Sequence, residues 1–322
     1  MWEAAVISGE FEVLTMGRVG VDIYPAHAGS LVDVATFHKF LGGSPTNVAV
    51  ATSRLERRAA VITRTGDDPF GEFIHVALRS YGVDDRYVTP VAGLPTPVTF
   101  CEILAPDDFP LYFYRYPKAP DLEIRPDELD VEAIAAAHLF WVTGTGLCAE
   151  PSRTSTLKAL ELRGRRHPTV VDLDYRSMFW SSAGEAGAAL QEALRSATVA
   201  VGNREEAFVA TGYVDPDQAA DRLLELGVSL AIVKLGPRGV LAKSASERVE
   251  VAPIAIDVVN GVGAGDGFGG ALCHGLLAGW SLDQTVGYAN AAGAIVASRL
   301  ACSDAMPTKQ EIEELTRGGD DG

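Results

Sequence analysis

The stretch VNGVGAGDGFGGAL, Val259 to Leu272, sets six glycines around one carboxylate, Asp266. A β-branched run leads through these glycines into a helix expected to open near Ala264. Amide N–H groups at a helix N-terminus have no acceptor within the helix, and glycine lets another molecule approach them closely. Val262 to Gly265 therefore form a candidate anion hole. A P-loop would add a lysine in the string G-x-x-x-x-G-K-[ST], which does not occur in this chain. An aspartate pressed against phosphate would meet like charge. Turned toward an attacking hydroxyl, it can take that hydroxyl's proton while the amides stabilise the group being transferred. An aspartate here could also simply cap the helix. The order G-A-G-D favours the base. Gly265, Gly267 and Gly270 also satisfy G-x-G-x-x-G, but the dinucleotide fingerprint needs a second strand after the helix, ending in an acidic residue about 20 positions on. Here a second helix is expected instead, so the spacing reads as a decoy.

Composition narrows the partners. The chain has 322 residues, 47% of them hydrophobic and 22% charged, as in a soluble globular protein with a sizeable core. A formal net charge of -16 argues against nucleic acid and anionic membranes as partners. The opening MWEAAVISGEFEVLT lacks the basic n-region of a secretory signal, and no apolar run is long enough to span a bilayer. Cys101, Cys148, Cys273 and Cys302 lie far apart without C-x-x-C spacing, which argues against a zinc site or a disulfide framework and for a reducing cytoplasm.

Alternating strands and helices are needed to position the glycine turn. VLTMGRVGVDIY reads as a first strand with Asp22 at its end. LGGSPTNVAVATSRL reads as a helix capped by Ser44, with Pro45 at its first position. AAVITRTG is a strand. DDPFGEFIHVALRSYG is a helix capped by Asp68 and closed by Gly82. PVTFCEILAPDDFPLYFYRYP reads as a hairpin. Further strands are expected at AHLFWVTG, PTVVDLDY, TVAVGN, LAIVKLG and GVLAKS, and a last helix at SLDQTVGYANAAGAIVASRL, capped by Ser281 and Gln284. The pattern implies an α/β fold: a doubly wound, mostly parallel sheet with helices on both faces, plus a small β-sheet lid built from about 23–40 and 93–117. One domain is expected over 16–315, with 1–15 as an extension and 316–322 as a disordered tail. Ligands of such sheets bind beyond the carboxyl ends of the strands.

NGVGAGDGF resembles the C-terminal signature of the ribokinase-like (PfkB) carbohydrate kinases, usually D-T-x-G-A-G-D. LGGSPTNVAVATSRL resembles their N-terminal signature, and the likeness runs from about 16 to 315 with the motifs in family order. The resemblance implies ATP, magnesium and an acceptor hydroxyl. It makes Asp266 the base and Gly263, Ala264 and Gly265 the anion hole. It places Asp22, Gly43 and Asn47 on the acceptor. GNREEA resembles the N-x-x-E motif, which puts Asn203 by the phosphates and Glu206 on magnesium through water. VKLGPRG resembles the nucleotide loop, with Lys234, Gly236 and Gly239 near ATP, and Asn290 would lie near the adenine. Asn260 replaces the aspartate that opens the signature and helps hold a monovalent cation in relatives, which leaves K+ open. Asp174 stands where many relatives have asparagine.

Two arginines point to an anionic acceptor. Strand alternation puts Phe113 and Arg115 on one face of the lid, and Arg176 follows another strand toward the same cleft. Guanidinium groups pair bidentately with carboxylate. Alternatively, each arginine could pair with Asp121 or Asp174, or bind ATP phosphate. GRVGVDIYP, VITRTGDDPFGEF and DLDYRSMFW are similar to family members whose acceptor is a linear keto-deoxy sugar acid, phosphorylated at its terminal hydroxyl. The expected partners are thus a sugar acid and ATP, with a homodimer formed through paired lids. The competing classes are a nicotinamide-dependent oxidoreductase and a non-catalytic sugar-binding module.

Overall fold

The chain divides its strands between two sheets, and the division begins at Gly17. The computed structural model describes residues 10–104 and 109–318. The expected first strand is two strands: β1 (Val13–Met16) lies inside the large sheet, and β2 (Gly20–Pro25) lies in the lid. Gly17 makes the break with φ 140°, a value that favours glycine, and its N–H donates to the Ile62 carbonyl at 3.1 Å. Asp22 therefore sits within a lid strand and not at the end of the first one. The domain boundary expected at residue 16 falls inside β1, whose four residues are all buried.

The large sheet takes β4 (Ala59–Gly66) and β5 (Val88–Val91) on one side of β1. On the other side run β8 (Leu139–Thr143), β9 (Thr169–Asp172), β10 (Val199–Asn203) and β11 (Leu230–Lys234). All these neighbours pair in parallel. β12 (Val240–Ser244) and β13 (Arg248–Val251) add an antiparallel edge. The chain reverses direction across the sheet between β1 and β8, so the switch-point crevice opens there. The lid sheet runs in the order β3 (Phe37–Gly42), β2, β6 (Val98–Cys101), β7 (Leu111–Tyr114). β6 and β7 form the expected hairpin; its turn, 105–108, lies outside the described residues.

Alternation along the strands feeds two cores. Leu14, Phe140 and Val142 enter one, while Val13, Leu139 and Trp141 enter the other. Helices cover both faces, as expected of the doubly wound class. The helix Lys309–Gly318 runs into the segment expected to be a disordered tail, and 319–322 lie outside the described residues. No helix among the described residues is long and apolar enough to cross a membrane.

The helix Ala264–Ala278 lies directly on the helix Ser44–Arg54, and its glycines explain how closely. A Cβ on Gly269 would stand 2.8 Å from Trp141, and one on Gly270 2.3 Å from Ala51. Gly267 meets Val296 of the helix Leu282–Ala297 in the same way, at 2.6 Å. The G-x-G-x-x-G spacing is thus a feature of helix contact. In an open helix, Gly→Ala would stabilise by up to about 1 kcal/mol. Here Gly270→Ala should instead destabilise by roughly 1–3 kcal/mol through overpacking. Denaturant unfolding reads the sign, and a stabilised variant would refute the close contact.

Candidate active site

Side chains at or just beyond the carboxyl ends of the strands converge on one place. Arg18 follows β1, Asp172 ends β9, Asn203 ends β10 and Lys234 ends β11. From the lid come Asp22 on β2 and Leu111 and Phe113 on β7. With the glycine turn they line a polar cavity of about 570 Å³. Beside it lies an apolar groove of about 550 Å³, lined by Val240, Pro253, Ile254, Val258, Phe268 and Ala294. Gly236, Gly239 and Asn290 also border the groove. The two spaces share Lys234, Gly236, Gly261, Ala264 and Gly265, so they meet at the glycine turn.

Asp266 lines the polar cavity and directly follows the shared Gly265. It is the third residue of the helix Ala264–Ala278, whose N-cap is Gly263 at φ 87°. Its side chain caps nothing. It accepts a hydrogen bond from the Ser44 hydroxyl at 2.7 Å and one from the Asn47 amide nitrogen at 2.8 Å. The Ser303 hydroxyl donates to Asn47 Oδ1 at 2.6 Å, which fixes the amide with its nitrogen toward Asp266. The expected cap role of Ser44 is corrected accordingly. Gly43 is the N-cap, no side chain caps the helix, and the Ser44 hydroxyl serves Asp266 instead. Burial pushes the Asp266 carboxyl above the ordinary carboxylate range; the Ser44 and Asn47 bonds work against that rise.

The anion hole is narrower than the sequence suggested. The Val262 N–H donates to Asn260 Oδ1 at 3.1 Å, and the Ala264 N–H points to the Gly261 carbonyl at 3.4 Å. Among the described residues, no acceptor takes the N–H of Gly263 or Gly265. The Lys234 ammonium stands 3.0 Å from where a Gly265 Cβ would be, so the lysine reaches close to the turn. Asn260 is fully buried, and its amide donates to the Leu300 carbonyl at 2.6 Å, a bond that an ionised aspartate could not make.

The acidic groups around the cavity are heavily desolvated. Burial raises the Asp22 carboxyl to about 6, against the pull of Arg18. Burial also raises Asp172 and Glu206, with Lys234 opposing both. Asp174 takes a left-handed φ of 24°; burial would raise it, but Arg176 and Arg18 outweigh that and hold it low. Arg176 pairs with Asp174 at 3.1 Å. Asn203 and Glu206 form a reciprocal capping box: the Glu206 N–H donates to Asn203 Oδ1 at 2.9 Å, and the Asn203 N–H to Glu206 Oε2 at 2.6 Å. Among the described residues, no three His, Cys, Asp or Glu side chains converge as a cage for a bare ion. A magnesium ion that keeps its waters and rides on phosphates needs no such cage, and the Asp172, Asp174 and Glu206 side of the cavity suits it.

Of the residues expected from sequence, only Arg115 stands outside both spaces. β7 ends at Tyr114, so strand alternation does not carry on to Arg115. It pairs with Asp121 at 2.7 Å, stacks on Phe179 and lines a separate surface groove. Sequence reasoning missed Arg18, Ser44 as a partner of Asp266, and Asp172. Position after a strand of the parallel sheet was the available signal for Arg18 and Asp172.

Ser44→Ala tests the electrostatics. The Ser44 bond stabilises ionised Asp266, so its loss should raise the Asp266 pKa above that of the intact protein, read by carboxyl ¹³C NMR titration. The variant's stability deficit should grow as pH rises through the folded pKa, because only the ionised form misses the donor. A downward or absent shift would contradict the geometry.

A model of the pfkB family carbohydrate kinases matches residues 11–309. A Photobacterium profundum protein named 5-dehydro-2-deoxygluconokinase is 36% identical over 312 residues, covering 94% of this chain and 93% of the relative. A protein from E. coli provisionally named ribokinase II, solved with ATP and Mg2+, superposes with a TM-score of 0.87 at 24% identity, over 96% of this chain and 99% of that one. A Vibrio cholerae fructokinase solved with fructose, ADP and potassium gives a TM-score of 0.81 at 24% identity, with the same coverage. The chain belongs to the PfkB family and is a carbohydrate kinase.

Proposed function

We propose that this kinase moves the γ-phosphoryl group of ATP to the terminal (6-) hydroxyl of 5-dehydro-2-deoxy-D-gluconate, a keto-deoxy acid of myo-inositol breakdown, in the cytoplasm. The observation that carries the reading is Asp266 in the polar cavity, directly after the glycine turn that this cavity shares with the apolar groove. The relatives' name supplies the acid substrate class. The groove takes the nucleotide base, with Asn290, Gly236 and Gly239 along it. The polar cavity takes the acceptor, with Asp22, Gly43 and Asn47 around its hydroxyls. Asp266 accepts the hydroxyl proton as the oxygen attacks phosphorus and the bond to the ADP oxygen breaks. The free N–H groups of Gly263 and Gly265, with the Lys234 ammonium, stabilise charge on the transferring group. Bound Mg2+ neutralises phosphate charge, and Glu206 would hold it through water with Asn203 beside the phosphates. Potassium has no part in the proposal, because the Asn260 amide already covers the Leu300 carbonyl. A kinase for another keto-deoxy sugar acid would use the same side chains.

A coupled ADP-release assay over sugars, polyols and sugar acids tests the substrate, with the 5-keto-2-deoxy acid expected to give the highest kcat/KM. Asp266→Asn should lower kcat by roughly 10²–10⁴-fold or more while ATP binding stays near wild type. Turnover retained in that variant would refute the base. NAD(H) binding would instead revive the oxidoreductase class. We also propose that two copies pair through the exposed lid, where Phe37, Tyr114 and Tyr116 stand in solvent. Light scattering should then give a dimer mass at assay concentration; a monomer mass would end that proposal.

A further inference from the structure

Arg18 is a cationic side chain of the polar cavity with no carboxylate or hydrogen-bond partner among the described residues. It is 8% exposed, lines the cavity and does not border the apolar groove. It forms no ion pair within 4.0 Å and no side-chain hydrogen bond, and its buried Nε is orphaned. Of the cavity's other cations, Arg176 is paired with Asp174, while Lys234 stands away from the lid at the glycine turn that the apolar groove shares. Phe113 of the lid holds the guanidinium at 5.5 Å from its ring centroid. A cation–π contact restrains the plane of the group and leaves its N–H fork free. Its ring partner Phe113 belongs to the lid, and both line the polar cavity without bordering the apolar groove, which places Arg18 on the acceptor side.

A buried guanidinium left unpaired is unfavourable, so the site is shaped for a ligand that supplies the acceptors. We propose that Arg18, steadied by Phe113, is the residue that selects a carboxylate on the acceptor, with Arg176 as its neighbour. This assignment rests on the sugar-acid reading above and takes over the role that sequence alternation gave to Arg115. A planar carboxylate fits the free fork bidentately, whereas a neutral alcohol at the same carbon leaves the charge uncompensated.

The test compares the keto-deoxy acid with its C1 alcohol, using wild type, Arg18→Met and Arg18→Lys. In Arg18→Met, kcat/KM for the acid should fall by at least roughly 100-fold, mostly through KM. The alcohol should change by less than about threefold, and KM for ATP should stay constant. Arg18→Lys should recover part of the loss on the acid. Equal losses on acid and alcohol, or a raised KM for ATP, would overturn the assignment while leaving the sugar-acid reading intact. A wild-type enzyme that prefers the alcohol would remove both. If Arg18→Met does not fold, as read by the shift in Tm on adding ATP, Arg18→Lys decides. A selective loss on the acid supports the role, and a uniform loss rejects it.

Discussion

Two helices can hold Asp266 against Ser44 and Asn47 only because glycine lets them touch. Asp266 stands at the start of one helix and its two donors at the start of the other, so the interhelical distance sets those hydrogen bonds. A Cβ at Gly270 would stand 2.3 Å from Ala51 of the facing helix, and one at Gly269 3.0 Å from Val48, so the helices could not keep this spacing with larger residues there. The contact therefore links the core to the chemistry. Trp141, deep in the sheet, and Val48 and Ala51, on the facing helix, fix where the Asp266 carboxyl sits. The proposed base would have to be ready before substrate arrives, and rigid elements supply such readiness better than loops.

The break at Gly17 has a comparable reach. A continuous first strand would carry Asp22 away along the sheet. The turn sends the chain into the lid instead, so Asp22 returns over the cavity and Arg18 is left at its floor. Lid and sheet together exclude water from the carboxylates between them, and that exclusion is why Asp22 and Asp266 rise above ordinary carboxylate values. A base whose pKa lies nearer to neutrality accepts a proton more readily.

Much of this was legible in the sequence, and the misses share a cause. Strands of the parallel sheet read as β-branched runs because both faces are buried, and the glycine turn declared itself by residue type. Asp266, and Asn47 and Lys234, which the family resemblance singled out, line one cavity. Arg115 does not, because period-two alternation holds only while the strand lasts, and β7 stops one residue short. Ser44 looked like a cap because local sequence offers a cap nothing better. A carboxylate 222 positions away offered more. Arg18 was passed over because its importance lies in having no partner, and sequence shows residues but not the absence of neighbours.

The charges around the cavity bear on how a strongly acidic protein would bind the two anions of the proposed reaction. Arg18, Arg176 and Lys234 face five carboxylates: Asp22, Asp172, Asp174, Glu206 and Asp266. Fully ionised, the site would repel phosphate. Burial shifts Asp172 and Glu206 toward their neutral forms and brings Asp22 to about 6, which removes part of that negative charge. The rest is arranged in space. Lys234 lies at the glycine turn, where phosphate would arrive, and Arg18 lies beneath Phe113, on the acceptor side. The remaining carboxylates favour a phosphate that brings its own divalent cation over a bare one. Under the proposed function, an excess of buried acid would favour metal-bound nucleotide without a dedicated metal cage.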